Sequence, residues 1–213
     1  MSCSAERRSH CRWSRGLFIA AGLLMLVQVV LIGLRTYGVG SFPEAWIAPF
    51  AICAVVAALA ALTGLSPGLS HAAPRLAKAG AAVALFAIVL LCTAAAWLVV
   101  GAHLGGHAGP VPAWFPGFAA IFMSAFVLAF LLAAAASLKA GSRAMGCLLL
   151  VPAVAWSVIV LAGAVMGIGA ALRLDLYTNG AIACALLALG YVAGNRSGRT
   201  HGVYDSGRGG GAG

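Results

Sequence analysis

The hydrophobic positions of this chain fall into long blocks, parted by short polar or basic stretches. The first blocks cover residues 17–34, 46–65, 79–101, 114–138 and 144–169. Each comes close to or exceeds the roughly 20 residues that an α-helix needs to cross about 30 Å of hydrocarbon. A last block is weaker, because its uninterrupted apolar part is confined to residues 181–193. It can span only if it starts near Leu174, which brings Asp175, Tyr177, Thr178 and Asn179 to the outer end of the helix. The pattern therefore predicts an all-α integral membrane protein built as a bundle of six transmembrane helices. Five helices with a re-entrant last segment are the structural alternative.

The block from 17 to 34 follows Arg7, Arg8, Arg12 and Arg15, as the core of a secretory signal peptide would. It is longer than a typical signal core, and Arg35-Thr36-Tyr37 stands where a small-residue cleavage site would be. The block is expected to remain as the first helix. Three parts result: a basic amino-terminal segment, 1–15; a transmembrane domain, 16–195, with spans near 16–34, 46–65, 79–101, 114–138, 144–169 and 174–194; and a flexible Gly-rich tail, 196–213.

Composition agrees with the pattern. Hydrophobic residues make up 63% and charged residues 8% of the chain, whereas a soluble domain carries about 25% charged residues. The net charge of +9 is no nucleic-acid footprint, since the basic residues lie between apolar blocks instead of forming a stripe with interleaved aromatics. With six crossings, Arg7, Arg8, Arg12, Arg15, Arg75, Lys78, Lys139, Arg143, Arg196, Arg199 and Arg208 fall on one side, and Arg35 and Arg173 on the other. Positively charged loops stay inside, so both the N- and C-termini are expected to be cytoplasmic, with the cell or plasma membrane as the expected location.

Ionisable residues are missing from the middle of every expected span, where pumps and ion-coupled transporters keep them. The polar groups that remain define a candidate intramembrane path of Gln28, Ser124, Ser157 and Asn179. Asp175, Glu44, His103 and His107 are expected together on the outer face, as a second candidate polar site. His103 and His107 have metal-ligand spacing for a helix, but Gly105 and Gly106 argue against helical backbone there, so no metal is expected. The sequence contains no C-x-x-C pair, nucleophile elbow or phosphate-binding loop. Neither catalytic residues nor a cofactor are expected.

Asn179 and Asp175, four apart, can share one helical face, and Asn179 is expected to turn toward another helix or a cavity. Pro152 is expected to kink the fifth helix. Gly163 and Gly167, and again Gly190 and Gly194, have the small-x-x-x-small spacing that lets helices approach closely. They are candidates for self-association or for contact with other membrane proteins, in addition to the lipid bilayer. The first functional expectation is a non-enzymatic multi-pass protein that assembles with other membrane components. A small transporter or channel for a neutral or apolar substance is the alternative. A water-accessible cavity at Gln28 would favour the second, and a solid bundle the first.

Overall fold

The computed structural model of the chain describes residues 3–37, 44–104, 114–166 and 168–199. They form six helices: α1 (Cys3–Thr36), α2 (Glu44–Leu69), α3 (Pro74–Leu104), α4 (Phe115–Lys139), α5 (Arg143–Met166) and α6 (Ile168–Arg199), with no strand among the described residues. Each contains a stretch long and apolar enough to cross a membrane. The protein is a multi-pass integral membrane protein.

Helix α6 is continuous from Ile168 to Arg199, which removes the re-entrant alternative. It also begins before the expected boundary at Leu174, so Asp175 lies about two turns inside the helix. Helix α1 likewise starts early, at Cys3, and carries the basic amino-terminal segment as helix. Helix α5 continues on both sides of Pro152, a fully buried residue. The proline nitrogen has no hydrogen to donate to Leu148, so the helix lacks one ladder bond there.

Neighbours in sequence are neighbours in space: α1 packs on α2, α2 on α3, α3 on α4, α4 on α5 and α5 on α6. Helix α6 then returns to α1 and closes the ring, while α2 also reaches α4 across it. Short turns enforce this order. Between α2 and α3 the Leu69 carbonyl accepts from the Ala72 and Ala73 amides at 3.2 and 3.0 Å, and Pro74 opens α3 where no intrahelical donor is required.

The α4–α5 turn ends α4 with a Schellman motif. The Ser142 amide donates to Ser137 O at 2.9 Å and the Gly141 amide to Leu138 O at 3.0 Å, with Gly141 at φ +76°. An L side chain in this left-handed conformation costs about 1–2 kcal/mol, and a β-branched one is the worst fit. Gly141→Val should accordingly lower the unfolding temperature in detergent. Gly68→Ala, where a new Cβ meets nothing within 4 Å, should not.

The half of the bundle nearest the α2–α3 and α4–α5 turns is tightly packed. Phe18, Leu59, Phe130, Leu149, Leu186 and Leu189 are all fully buried there. Between them the core is mostly alanine, including Ala21, Ala58, Ala84, Ala129 and Ala133, which lets helix backbones approach in the absence of a hydrophobic drive between helices. Phe122, Phe126 and Phe130, one turn apart on α4, form an aromatic column with ring centroids 6.4 and 4.8 Å apart. Outward faces are apolar, as lipid contact requires: Leu23, Leu26 and Val30 on α1, and Val154, Leu161 and Val165 on α5. Exposed Trp13 and Tyr191 mark one end of the bundle, while Tyr37, Trp97, Trp114 and Tyr177 mark the other. That is the distribution of interfacial aromatic belts.

Candidate functional site: a polar cavity within the bundle

All six helices contribute to one cavity of about 170 Å³. Its lining includes Met25 and Gln28 from α1, Ile52 and Val55 from α2, Leu91 from α3, Phe122 from α4, Trp156 from α5, and Asp175 and Asn179 from α6. In α1, α3 and α5 these residues lie past the midpoint of the span, and in α2, α4 and α6 they precede it. Alternating helix directions thus put the cavity in one half of the membrane, the half remote from Lys78, Lys139 and Arg143.

Close packing of α1 on α6 sets the height of each polar group. A Cβ placed on Gly22 would meet Leu187, one on Gly33 would touch Leu176, and one on Gly190 would meet Ile19. Residue numbers rise in α1 as they fall in α6, so the two helices are antiparallel and Gln28 stands level with the turn from Asn179 to Ile182. Gln28 is eight residues from the end of α1, or roughly 12 Å below it at 1.5 Å per residue. Asp175 stands higher, toward the outer end of the cavity.

The polar groups are unequally satisfied. Asn179 is only 2% exposed, and its Nδ2 donates to Asp175 Oδ1 at 2.9 Å. Gln28 is 9% exposed, and its Oε1 is buried with no hydrogen-bond partner among the described residues. The indole Nε1 of Trp156 is in the same condition. A buried polar atom without a partner costs about 1–3 kcal/mol. Both atoms belong to residues that line the cavity, but each is itself buried behind its wall, which is almost wholly apolar.

Below the cavity the bundle is closed by rings. Trp156 meets Phe126 edge-on, with centroids 5.7 Å apart, and the Phe122–Phe126–Phe130 column continues into the solid half. Thr178, beside Asn179 in sequence, takes no part. Its hydroxyl donates to Leu174 O at 2.8 Å and Asp175 O at 3.2 Å in its own helix.

The expected four-residue path is divided by this arrangement. Gln28 and Asn179 share the cavity, while Ser124 and Ser157 line a separate apolar groove of about 940 Å³ between α4 and α5, with Met123, Val127 and Leu161. Both serines are exposed on the outer surface of the bundle. Ser157 needs no partner from the interior, since its hydroxyl donates to Ala153 O at 2.8 Å. Their midplane depth was legible; the helix face was not.

The expected outer-face cluster is altered too. Asp175 turns into the cavity toward Asn179, because α6 starts early enough to carry it inside. The side chains of Glu44 and His103 and all of His107 lie outside the described residues; backbone at Glu44 opens α2, and backbone at His103 belongs to the last turn of α3. Among the described residues no three His, Cys, Asp or Glu side chains are grouped as metal ligands would be. Cys53, Cys92, Cys147 and Cys184 are free and exposed, facing outward instead of filling the core.

The apolar lining and Trp156, the one further lining residue with a side-chain hydrogen-bonding group, are what sequence reasoning passed over. The position of Trp156 one turn past Pro152 on a helix expected to bend was the available signal. Of the glycines expected to serve association, Gly190 is buried against α1 within the chain; Gly167 and the environment of Gly194 lie outside the described residues. Neither a family model, nor a curated protein, nor a solved structure matches this chain.

Proposed function

We propose that this chain is a non-enzymatic membrane protein that binds a small uncharged solute in its central cavity and carries it across the membrane. The observation that supports this reading is the cavity at Gln28, which is lined by all six helices and brings Gln28, Asp175 and Asn179 together in an otherwise apolar bundle. Polar residues inside a membrane are costly, and they mark substrate routes. Discontinuous or pliable helices around a midplane site are the usual device of carriers, and the bond missing at Pro152 lies one turn from Trp156.

The cavity occupies one half of the bundle above a densely packed floor. A static pore is therefore not part of the proposal. Passage requires the floor formed by Phe126, Phe130 and Leu149 to open in a second conformation.

Assembly with other membrane components is the second reading. Gly163, half-buried on α5, is its remaining described glycine, since Gly190 is occupied by α1. The exposed apolar faces are what acyl chains require, so they do not by themselves call for a protein partner.

Osmotic swelling of proteoliposomes tests the first reading, using a panel of small neutral solutes such as urea, acetamide, butyramide and glycerol. Uptake of at least one solute should exceed that of empty vesicles and fall severalfold with Gln28→Leu. Ser124→Ala should leave it unchanged. Swelling equal to empty vesicles for the whole panel, together with copurification of a stoichiometric membrane partner, would favour assembly instead.

A further inference from the structure

Past their apolar spans, α1 and α6 both continue as helix. Helix α1 begins at Cys3, well before its span opens at Trp13, and α6 runs beyond Ala193 to Arg199. The two extensions carry Arg7, Arg8, Arg12, Arg196 and Arg199, with Arg15 just inside the span of α1. We infer that this paired helical end binds the headgroup of an anionic phospholipid, which clamps the α1–α6 seam. The inference is independent of the solute reading.

Helix packing sets the pattern of charge. Positions 8, 12, 15, 19 and 22 recur on one face of α1, so Arg8, Arg12 and Arg15 continue the stripe of Ile19 and Gly22. That stripe is turned to α6. A Cβ on Gly190 would meet the Ile19 side chain and the Arg15 carbonyl oxygen, and one on Gly22 would meet Leu187. Because α6 runs antiparallel to α1, Arg196 and Arg199 emerge at the same end. Gly194 and Ser197 share the α1-facing side of α6 with Gly190 by the same spacing, and they add little bulk there. Glu6 is the only acidic residue of either extension. It lies two positions from Arg8 and so on the far face of α1.

Depth selects a lipid headgroup. Exposed Trp13 and Tyr191 mark the interface at this end. Arg8 is five residues beyond Trp13 and Arg196 five beyond Tyr191, so each stands about 7–8 Å farther out. The headgroup layer is roughly 5–8 Å thick on each side of the hydrocarbon. Arg15, exposed at its lower level, can reach the same layer along its aliphatic stem. Guanidinium groups bind phosphate oxygens in pairs, and clusters of about four to eight basic residues directly beside a transmembrane helix are the pattern for anionic lipid. A topology signal needs the charge, but not its fixed register on two packed helices.

The test is native mass spectrometry of the full chain in detergent, titrated with palmitoyl-oleoyl phosphatidylglycerol and with phosphatidylcholine of the same acyl chains. Phosphatidylglycerol should bind roughly tenfold or more tightly, since each arginine near an anionic surface contributes about fivefold. Arg8→Gln with Arg12→Gln should weaken it about twenty-five-fold, whereas Lys139→Gln with Arg143→Gln at the α4–α5 turn should leave it nearly unchanged. A further variant, Arg8→Ser, Ser9→Arg, His10→Arg and Arg12→His, keeps composition and net charge but moves two arginines off the stripe. It should lose the lipid as the glutamine pair does. Phosphatidylglycerol should also raise the unfolding temperature of the wild-type chain and not that of the rearranged one.

Equal affinity for the two lipids, or undiminished phosphatidylglycerol binding by the rearranged variant, would overturn the site and leave the arginines as topology signals. Equal weakening by the two glutamine pairs would overturn it in the same way, and that comparison decides the question should the rearranged variant fail to fold. Displacement of bound phosphatidylglycerol by glycerol 3-phosphate would overturn the lipid assignment in favour of a soluble phosphate ligand.

Discussion

Gly190→Leu should prevent the chain from accumulating as a stable bundle. A Cβ at this position would stand 2.5 Å from Ile19 Cγ1 and 3.3 Å from both the Arg15 carbonyl oxygen and the Ile19 amide nitrogen. Side-chain atoms can turn away, but the two backbone atoms cannot move without separating α1 from α6. Gly22 faces the same seam from the other side, where a Cβ would lie 2.7 Å from Leu187 Cγ and 3.0 Å from its amide nitrogen. Overpacking typically costs 1–3 kcal/mol at one site, and a backbone obstruction is the severe case. Since the α1–α6 contact closes the ring, its loss also removes the wall that holds Gln28 opposite Asn179. Size-exclusion chromatography and thermal unfolding in detergent measure the effect. Gly16→Leu is the control, because a Cβ on Gly16 meets nothing within 4 Å; equal behaviour of Gly16→Leu and Gly190→Leu would show that the close approach is not what stabilises the ring.

How far such features were legible in the sequence depends on which physical signal they leave. Six spans were readable because hydrocarbon thickness imposes a length, and alternating loop charge supports the even number. Helix faces were harder to read. A soluble helix reveals its buried face by polar residues on the other side, whereas a helix in lipid is apolar all round. Ser124 and Ser157 therefore resembled Gln28 in sequence, although they face outward. Asn179 was better specified, since Asp175 one turn away made a single polar face possible. The close approach at Gly22 left no small-x-x-x-small signature, because the positions four away on its own helix are Phe18 and Leu26. Trp156 reads as one more large apolar residue until the unpartnered state of its Nε1 is seen.

Asn179→Leu should destabilise the bundle and abolish solute binding, whereas Thr178→Leu should do neither to a comparable degree. The neighbouring residues differ in where their polar atoms are satisfied. Thr178 bonds to carbonyls of its own helix, which would otherwise be occupied by the helical ladder alone, so its hydroxyl can be lost cheaply. Asn179 is 2% exposed and donates to Asp175. Leucine has similar bulk, but it leaves the carboxylate at the cavity without its donor. Removing one partner of a buried pair costs the desolvation of the other, about 1–3 kcal/mol and more for a charged group. Replacing both partners by apolar groups of like shape can be nearly neutral. Asp175→Leu combined with Asn179→Leu should therefore recover much of the stability lost by Asn179→Leu alone, with a coupling energy of roughly 0.5–3 kcal/mol for groups in contact. Binding should not recover, because the oriented amide is gone. Unfolding midpoints of the four variants in one detergent complete the cycle, and simple additivity of the two single substitutions would show that the Asp175–Asn179 bond does not organise this end of the cavity.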